Sequence, residues 1–371
     1  MTACQRPTLL LLIPHLAGGG SERVIETLAR SLDSAKYNVH LALIAPAQSH
    51  HQLPSLPATV HQLAATRVRR SIIPLLSLIW KIRPDLILSG IAHLNLLVLA
   101  LKPFIPRATR IMVRQNGALA ETLRSISPLL SRRAYSLAYR HADRVICQSK
   151  AMAQEIRSGL HVRMSDLVVL PNPTDVSSIR SMSFSQQKSI SAILTLIAIG
   201  RLVPQKGFDL LLDALAALPP QLSSTELILV GEGPQQSHLE RQALELGIRS
   251  RIHFVGHVPD PVVRFPYATA FVLSSRTEGM PNAMLEAAAA GLPIVATPAS
   301  AGVVDLLKNH DGVWLASCVS SEALRIVLQD ALVSLRPGQR YPHMWIEPYE
   351  LPRALASYES EIDRLLVCRS S

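Results

Sequence analysis

Residues 194–217 read LTLIAIGRLVPQKGFDLLLDALAA. The first six form an unbroken run of apolar and β-branched residues, which predicts a strand buried on both faces. Gly200-Arg201 closes the run and Lys206-Gly207 follows; 207–217 then repeats apolar residues at helical spacing. Strand, glycine-bearing loop and helix make one half of a βαβ unit in a parallel sheet. In such sheets ligands bind beyond the carboxyl ends of the strands, which is where Arg201 and Lys206 fall. A guanidinium grips phosphate oxygens in pairs and an ammonium adds a mobile point charge. The two cations therefore suit a diphosphate better than plain solvation.

The same pattern runs outward in both directions. Toward the C-terminus, strands are expected at 226–230, 251–255, 270–273 and 293–296, with helices at 235–246, 284–290 and 321–334. Toward the N-terminus, strands at 8–13, 38–44, 85–88, 109–113, 144–147 and 167–170 alternate with helices such as 21–32, 72–82 and 127–141. From Asn172 to Ala192 there are seven serines and no long apolar run, the composition of a linker. The expected class is α/β, with two Rossmann-like domains and a cleft between them. The division reads 1–175, a linker at 176–192, a second domain at 193–348, and a final amphipathic segment at 349–371. That last segment could finish the second domain or return to the first. A chain of 371 residues suits two domains.

Composition narrows the function classes. Hydrophobic residues make up 48% and charged residues 17%, so the chain can bury two cores. Aromatics are only 4%, which weakens any reading that depends on base stacking, and no nucleic-acid-binding motif is present. Cys4, Cys147, Cys318 and Cys368 lie far apart with no C-x-x-C pair, which excludes the usual zinc and redox spacings and fits a reducing compartment. The net charge is +10 and unevenly spread. Residues 1–175 hold 21 Lys+Arg against 9 Asp+Glu, the remainder 16 against 18. The basic half is expected to meet something anionic, such as a membrane surface or a phosphorylated acceptor.

The longest apolar stretch, 86–101, contains His93 and Asn95 and falls short of the ~20 residues a membrane span needs. The start imitates a leader, with Arg6 ahead of the run Leu9 to Leu12. Pro14, His15 and the glycines that follow read better as strand, loop and helix. A cytoplasmic protein is expected.

Three further motifs follow predicted strands. Gly18-Gly19-Gly20-Ser21-Glu22-Arg23 lies between the first strand and the first helix, where glycines admit a ligand and a helix start offers N–H groups to an anion. Gly231-Glu232-Gly233-Pro234 follows 226–230 and, like Gly200, permits close backbone approach. The richest stretch is Ser274-Ser275-Arg276-Thr277-Glu278-Gly279-Met280-Pro281-Asn282-Ala283-Met284-Leu285-Glu286. Glu278 sits in a loop, with Glu286 eight positions later on a helix. If both face the cleft, one can accept hydrogen bonds from sugar hydroxyls and the other from ribose hydroxyls. The backbone N–H groups of Gly279, Met280, Asn282 and Ala283 would face a phosphate.

Taken in order, the glycine loop, Gly-Arg…Lys-Gly, Gly-Glu-Gly, Phe254-Val255-Gly256-His257 and Glu-x7-Glu resemble the family 4 retaining glycosyltransferases of the GT-B fold. The resemblance covers nearly the whole chain, from Leu9 to the last helix. It implies that Arg201 and Lys206 bind the diphosphate of a nucleotide-sugar co-substrate, that Glu278 contacts the transferred sugar and that Glu286 holds the ribose. It also implies that Phe254 to Val258, with Val255, lie beside the base. The Gly18, Gly19, Gly20 loop would close over the phosphates, and the final helix would cross back onto the first domain. The expected donor side is thus Gly18, Gly19, Gly20, Gly200, Gly231, Gly233, Phe254, Val255, Val258, Gly279, Met280, Pro281, Asn282, Ala283, Leu285 and Glu286. Glu278, Arg201, Lys206 and Asn116 are placed at the reacting centre.

One departure matters. Many members of that family carry a histidine after the strand matching 109–113, where this chain has Arg114-Gln115-Asn116. Asn116 donates and accepts hydrogen bonds but is no general base. His15, Glu22, His93 and Arg114 are candidates for the acceptor side. Without an obvious carboxylate nucleophile, front-face attack fits, the departing phosphate oxygen taking the acceptor's proton. No D-x-D motif or metal cluster is seen, and the two cations would neutralise the leaving group. Arg67, Arg69 and Arg70 precede the apolar stretch 72–80, while Lys102, Arg107 and Arg110 flank another. This pattern suits peripheral contact with an anionic membrane and a glycan or lipid-linked sugar acceptor at its cytoplasmic face. A UDP-sugar donor is expected from the resemblance alone. Competing readings are a nucleotide-sugar 2-epimerase and a non-catalytic membrane- or nucleic-acid-binding module on the same scaffold.

Overall fold

The structure, a computed structural model, describes residues 6–15, 19–45, 56–64, 68–119, 123, 128–185 and 193–367. Gly18, Arg67, Cys4 and Cys368 lie outside the described residues, as does the 186–192 part of the expected linker. The chain forms two compact units, Met1–Pro173 with Pro352–Ser371, and Thr174–Leu351.

The first unit is built on a seven-stranded parallel sheet. Its strands are β1 Thr8–Ile13, β2 Asn38–Leu43, β3 Thr59–Gln62, β4 Leu86–Ser89, β5 Arg110–Arg114, β6 Arg144–Cys147 and β7 Leu167–Val169, in the order β3-β2-β1-β4-β5-β6-β7. Strand periodicity sends alternate residues of β1 to opposite faces. Leu10 and Leu12 join one core with Leu75, Ile79 and Val98, whereas Leu9, Leu11 and Ile13 join another with Ile25 and Leu28. The apolar stretch at 86–101 divides into β4 and the helix Ala92–Ala100, both part of this unit. The sequence reading lacked β3, whose half-buried Thr-Val-His-Gln carries little apolar signal.

The C-terminal helix Leu351–Val367 lays Tyr358, Ile362 and Leu365 on the second of those cores. Asp363 receives Lys36 Nζ at 2.6 Å and the Tyr37 hydroxyl at 2.7 Å, and Arg144 Nε donates to Glu361 at 2.5 Å. The helix therefore belongs to the first unit from Pro352 onward.

The second unit holds a six-stranded parallel sheet of β8 Thr195–Ile199, β9 Glu226–Val230, β10 Ile252–Gly256, β11 Ala270–Leu273, β12 Ile294–Ala296 and β13 Val313–Leu315, in the order β10-β9-β8-β11-β12-β13. The three-residue β13 was too short to stand out in the sequence. The expected linker at 176–192 is corrected: Val176–Ser185 is a helix, and Val176 and Ile179 are buried in the core with Met284 and Phe265. Its serines masked two anchoring apolar residues spaced three apart.

Candidate functional site

Both sheets share one topological feature. Chain order runs outward from β1 toward β3 and then jumps to β4; in the second unit it runs from β8 toward β10 and jumps to β11. Loops leaving the two central strands of each sheet diverge to opposite faces, which opens a ligand crevice at their carboxyl ends. The sequence candidates collect at these two points.

In the second unit, Lys206 follows β8 and Glu278 follows β11. They meet across 72 residues of sequence, Nζ donating to Oε1 at 2.6 Å. The Ser275 hydroxyl donates to the same oxygen at 2.7 Å, and Glu278 N–H donates to the Ala299 carbonyl at 3.1 Å. Glu278 is buried and Lys206 partly exposed, so the ammonium is reachable while the carboxylate is locked in orientation. Arg201 is exposed beside them in sequence. The loops are tied together below the pair: Ser274 Oγ donates to the Lys206 carbonyl at 2.8 Å, and Thr297 Oγ1 to the Ser275 carbonyl at 2.6 Å. Gly207 has φ +61, and a Cβ there would overlap the Ser274 carbonyl oxygen. Only glycine lets these two loops approach so closely.

The neighbouring loops are joined in the same way. Gly231 N–H donates to the Gly256 carbonyl at 2.8 Å, and Leu202 N–H to the Glu232 carbonyl at 2.9 Å. A Cβ on Gly231 would overlap the Gly200 carbonyl, and one on Gly233 would crowd the Leu202 backbone. Gly231 and Gly233 are thus explained by loop-to-loop contact, whereas a Cβ on Gly200 would meet the Lys206 side chain. Val255 and Val258 pack with the core containing Val230, whereas Phe254 packs with the opposite core, Arg249 lying over its ring at 5.1 Å. Phe254 and Val255 therefore occupy opposite faces of β10 and do not share a ligand surface.

The helix Asn282–Ala289 follows Pro281, and no side chain caps its start. Gly279, Met280 and Pro281 are buried, whereas Asn282 and Ala283 are partly exposed. Leu285 is wholly buried in the core, so its expected donor contact is corrected to a packing role. Glu286 is also buried, on a helix whose neighbours Leu285, Ala287 and Ala288 are apolar. A carboxylate in that setting is costly unless it is hydrogen-bonded, so polar work is what justifies its place.

In the first unit, His15 follows β1, Glu22 lies on the helix Gly20–Ser31, and His93 opens the helix after β4. Gly19 caps the first of these helices. Desolvation holds His93 below the ordinary imidazole value; the charge of Glu22 opposes this and that of His15 adds to it, so the three side chains feel one another. Asn116, after β5, donates to the Gly90 carbonyl and accepts from Arg114. Arg114 itself is fully buried, with a second donor on Asn172 Oδ1. Burial pulls its guanidinium below the usual arginine value and Tyr358 opposes that shift. Its expected acceptor-side role is corrected, because a wholly buried side chain cannot meet an acceptor and here it holds Asn116 instead.

Comparison with known proteins decides the family. The model of group 1 glycosyl transferases matches residues 184–338, and that of glycosyltransferase family 4 matches residues 18–178. The chain belongs to the family 4 glycosyltransferases. LpsE of Rhizobium meliloti, a lipopolysaccharide core biosynthesis glycosyltransferase, is 27% identical over 197 residues, 53% of this chain and 55% of LpsE. A phosphatidylinositol N-acetylglucosaminyltransferase component from Arabidopsis thaliana is 30% identical over 232 residues, 61% of this chain and 50% of that protein. The matched regions thus span about half the length of these relatives. The crystal structure of HepE from Anabaena with UDP and glucose superposes with a TM-score of 0.80 at 20% identity, covering 96% of this chain and 99% of that one. The two Rossmann-like domains are accordingly of the GT-B kind.

Sequence reasoning missed the residues that hold the glycosyltransferase's charged pair in place. Arg276 grips Asp209 with both terminal nitrogens, at 2.7 and 2.6 Å, and donates to the Pro204 carbonyl at 2.7 Å. Its own N–H donates to the Gln205 carbonyl at 2.7 Å, and Gln205 Nε2 donates to the Thr277 carbonyl at 3.0 Å. These bonds fix the loop bearing Lys206 against the loop bearing Glu278. The available signal was an arginine two residues before Glu278 and an acid three residues after Lys206. Replacing Arg276 with alanine should lower turnover about tenfold or more by loosening that geometry, with a stability loss of only about 1–2 kcal/mol for a partly exposed pair. Steady-state rates and thermal unfolding on one preparation check both halves.

Among the described residues no cluster of three or more His, Cys, Asp or Glu is arranged to hold a metal ion. Nor, among them, is any helix long and apolar enough to cross a membrane.

Proposed function

We propose that this chain is a retaining glycosyltransferase that moves a hexose or N-acetylhexosamine from a nucleotide diphosphate sugar to a glycan or lipid-linked sugar acceptor. The observation that carries the reading is the Lys206–Glu278 pair at the strand switch point of the second unit, beside Arg201 and ahead of the buried Glu286. UDP is the favoured nucleotide, in keeping with the UDP in HepE. The names of the LpsE and Arabidopsis relatives point to cell-surface polysaccharide or glycolipid synthesis.

The chemistry follows from charge. As the bond from anomeric carbon to phosphate oxygen breaks, negative charge grows on the diphosphate and positive charge on the sugar ring. Arg201 and Lys206 would stabilise the first in place and supply the neutralisation without requiring a metal ion. Glu278, with Oε1 already engaged by Lys206 and Ser275, is oriented to accept hydrogen bonds from sugar hydroxyls and is poorly disposed to attack carbon. The acceptor hydroxyl then bonds to the anomeric carbon on the face the phosphate leaves, and its proton passes to the departing phosphate oxygen. Configuration is retained. Glu286 would hold the ribose.

The first unit would take the acceptor, with His15, Glu22, His93 and Asn116 grouped near its own switch point. Its surface also supports membrane contact. Trp80 Nε1 donates to the Phe104 carbonyl at 3.0 Å, which brings Trp80 and Phe104 together, both exposed. Ile73, on the same helix as Trp80, is exposed as well. Of the cations expected to flank this patch, Lys102 and Arg110 are both paired with Asp143, which removes most of their pull on anionic lipid.

Incubation of the full chain with sugar-labelled UDP-hexose and a bacterial lipid extract tests the reading. Label entering the lipid fraction is the expected result. Label recovered in an epimerised nucleotide sugar, without acceptor, would instead support a 2-epimerase.

A further inference from the structure

The helix Pro128–Tyr139 and the end of the helix Lys150–Leu160 enclose an open cavity of about 370 Å³ in the first unit. Arg132, Arg133, Arg140 and His161 line it together with Leu137. Among the described residues no carboxylate lines the cavity and none pairs with these three arginines. The three arginines are exposed and present like charge to one cavity, which makes that cavity attractive to an anion. The setting removes the usual objection to an anion beside a helix C-terminus. The Gly159 and Leu160 carbonyls, which would repel it, accept from Arg132 Nε at 2.9 Å and Ser136 Oγ at 2.7 Å. His161 closes that helix in the left-handed region, with φ 54, a position where glycine is the easy choice; its ring is thereby delivered to the cavity wall.

We propose that this cavity is a phosphoryl-binding site, taking the phosphate of a small anionic metabolite or of a lipid headgroup. Arg133 and Arg140 supply charge from one helix, seven residues apart and so on one face. Arg132 and His161 close the site from the side. Lys102 Nζ donates to the His141 carbonyl, placing the turn that carries Phe104 next to the Arg140 end of the helix. The exposed Phe104 thus lies two residues from a bond to the turn that follows Arg140, and apolar surface near the cations is what an amphipathic headgroup site requires. The site is built from residues the donor chemistry does not use.

Binding of radiolabelled inorganic phosphate and pyrophosphate to the full chain tests the proposal, at constant ionic strength in chloride. The Arg201→Ala/Lys206→Ala background silences the proposed donor site, so failure of one reading is separable from failure of the other. Saturable binding that falls at least tenfold in Arg133→Glu/Arg140→Glu, and is partly kept in the double lysine variant, supports a site for free phosphoryl anions. Binding only to phosphatidylglycerol vesicles and not to phosphatidylcholine, with the same loss in the glutamate variant, supports the site with a lipid source. Absence of saturable binding to any of these probes, or equal binding by the glutamate variant, overturns the proposal.

Discussion

Replacing Lys206 with alanine should reduce sugar transfer by about a hundred- to a thousandfold, the range for removing one preorganised group that meets charge developing in the transition state. Two effects combine. The leaving diphosphate loses a cation, and the buried Glu278 keeps the Ser275 hydroxyl on Oε1 but loses its ion-pair partner. The uncompensated carboxylate would then repel the incoming diphosphate. Folding should survive, because Lys206 is partly exposed and the Arg276–Asp209 pair still ties the two loops. Arg201→Ala should cause a similar loss without disturbing Glu278. Single-turnover rates with saturating donor separate the chemical step from weakened binding, and full turnover in both variants would sink the assignment.

The largest stability effect is expected at Arg114. Alanine there removes a wholly buried side chain from the carboxyl end of β5 and leaves Asn116 and Asn172 without its donors. A cavity, the loss of the donor to Asn116 Oδ1 and a weaker hold on Asn172, which keeps Gln148 Nε2 at 3.4 Å, together should cost about 3 kcal/mol, or roughly 6–12 °C in a unit of this size. Arg114→Met retains most of the volume and discards a buried cation, so it should recover much of the stability. It should not recover activity, since Asn116 still loses its anchor. Calorimetry and transfer rates on the two variants distinguish packing from positioning; equal activity in Met and wild-type chains would remove Arg114 from the account.

Fold and site were not equally legible in the sequence. Buried central strands such as β1 and β8 announce themselves, because a parallel strand covered on both faces needs an unbroken apolar run. The polar β3 and the three-residue β13 carry no such signal and form only because neighbouring strands offer an edge. The helix Val176–Ser185 reads as linker for the opposite reason: its serines dominate the composition while two apolar residues do the anchoring.

At the site, Lys206 and Glu278 could be nominated singly, since each follows a predicted strand. Their direct bond across 72 residues needed the strand order, which places β8 beside β11. Burial was the hidden variable elsewhere. Leu285 and Arg114 have plausible chemistry for a site, and only the packed sheet and helix show that both point inward. Phe254 and Val255 are adjacent in sequence and opposite in space, as strand alternation demands.

The central claim is that a nucleotide sugar binds the second unit through Lys206, Glu278 and Glu286. Its most direct test is a thermal-shift comparison of wild type and Glu286→Ala against UDP- and GDP-sugars. Binding at a hundredfold excess over the dissociation constant stabilises the folded chain by about 2.7 kcal/mol. The account predicts a clear upward shift with a UDP-sugar that disappears in the variant. No shift with any nucleotide sugar, or an undiminished shift in Glu286→Ala, would contradict it.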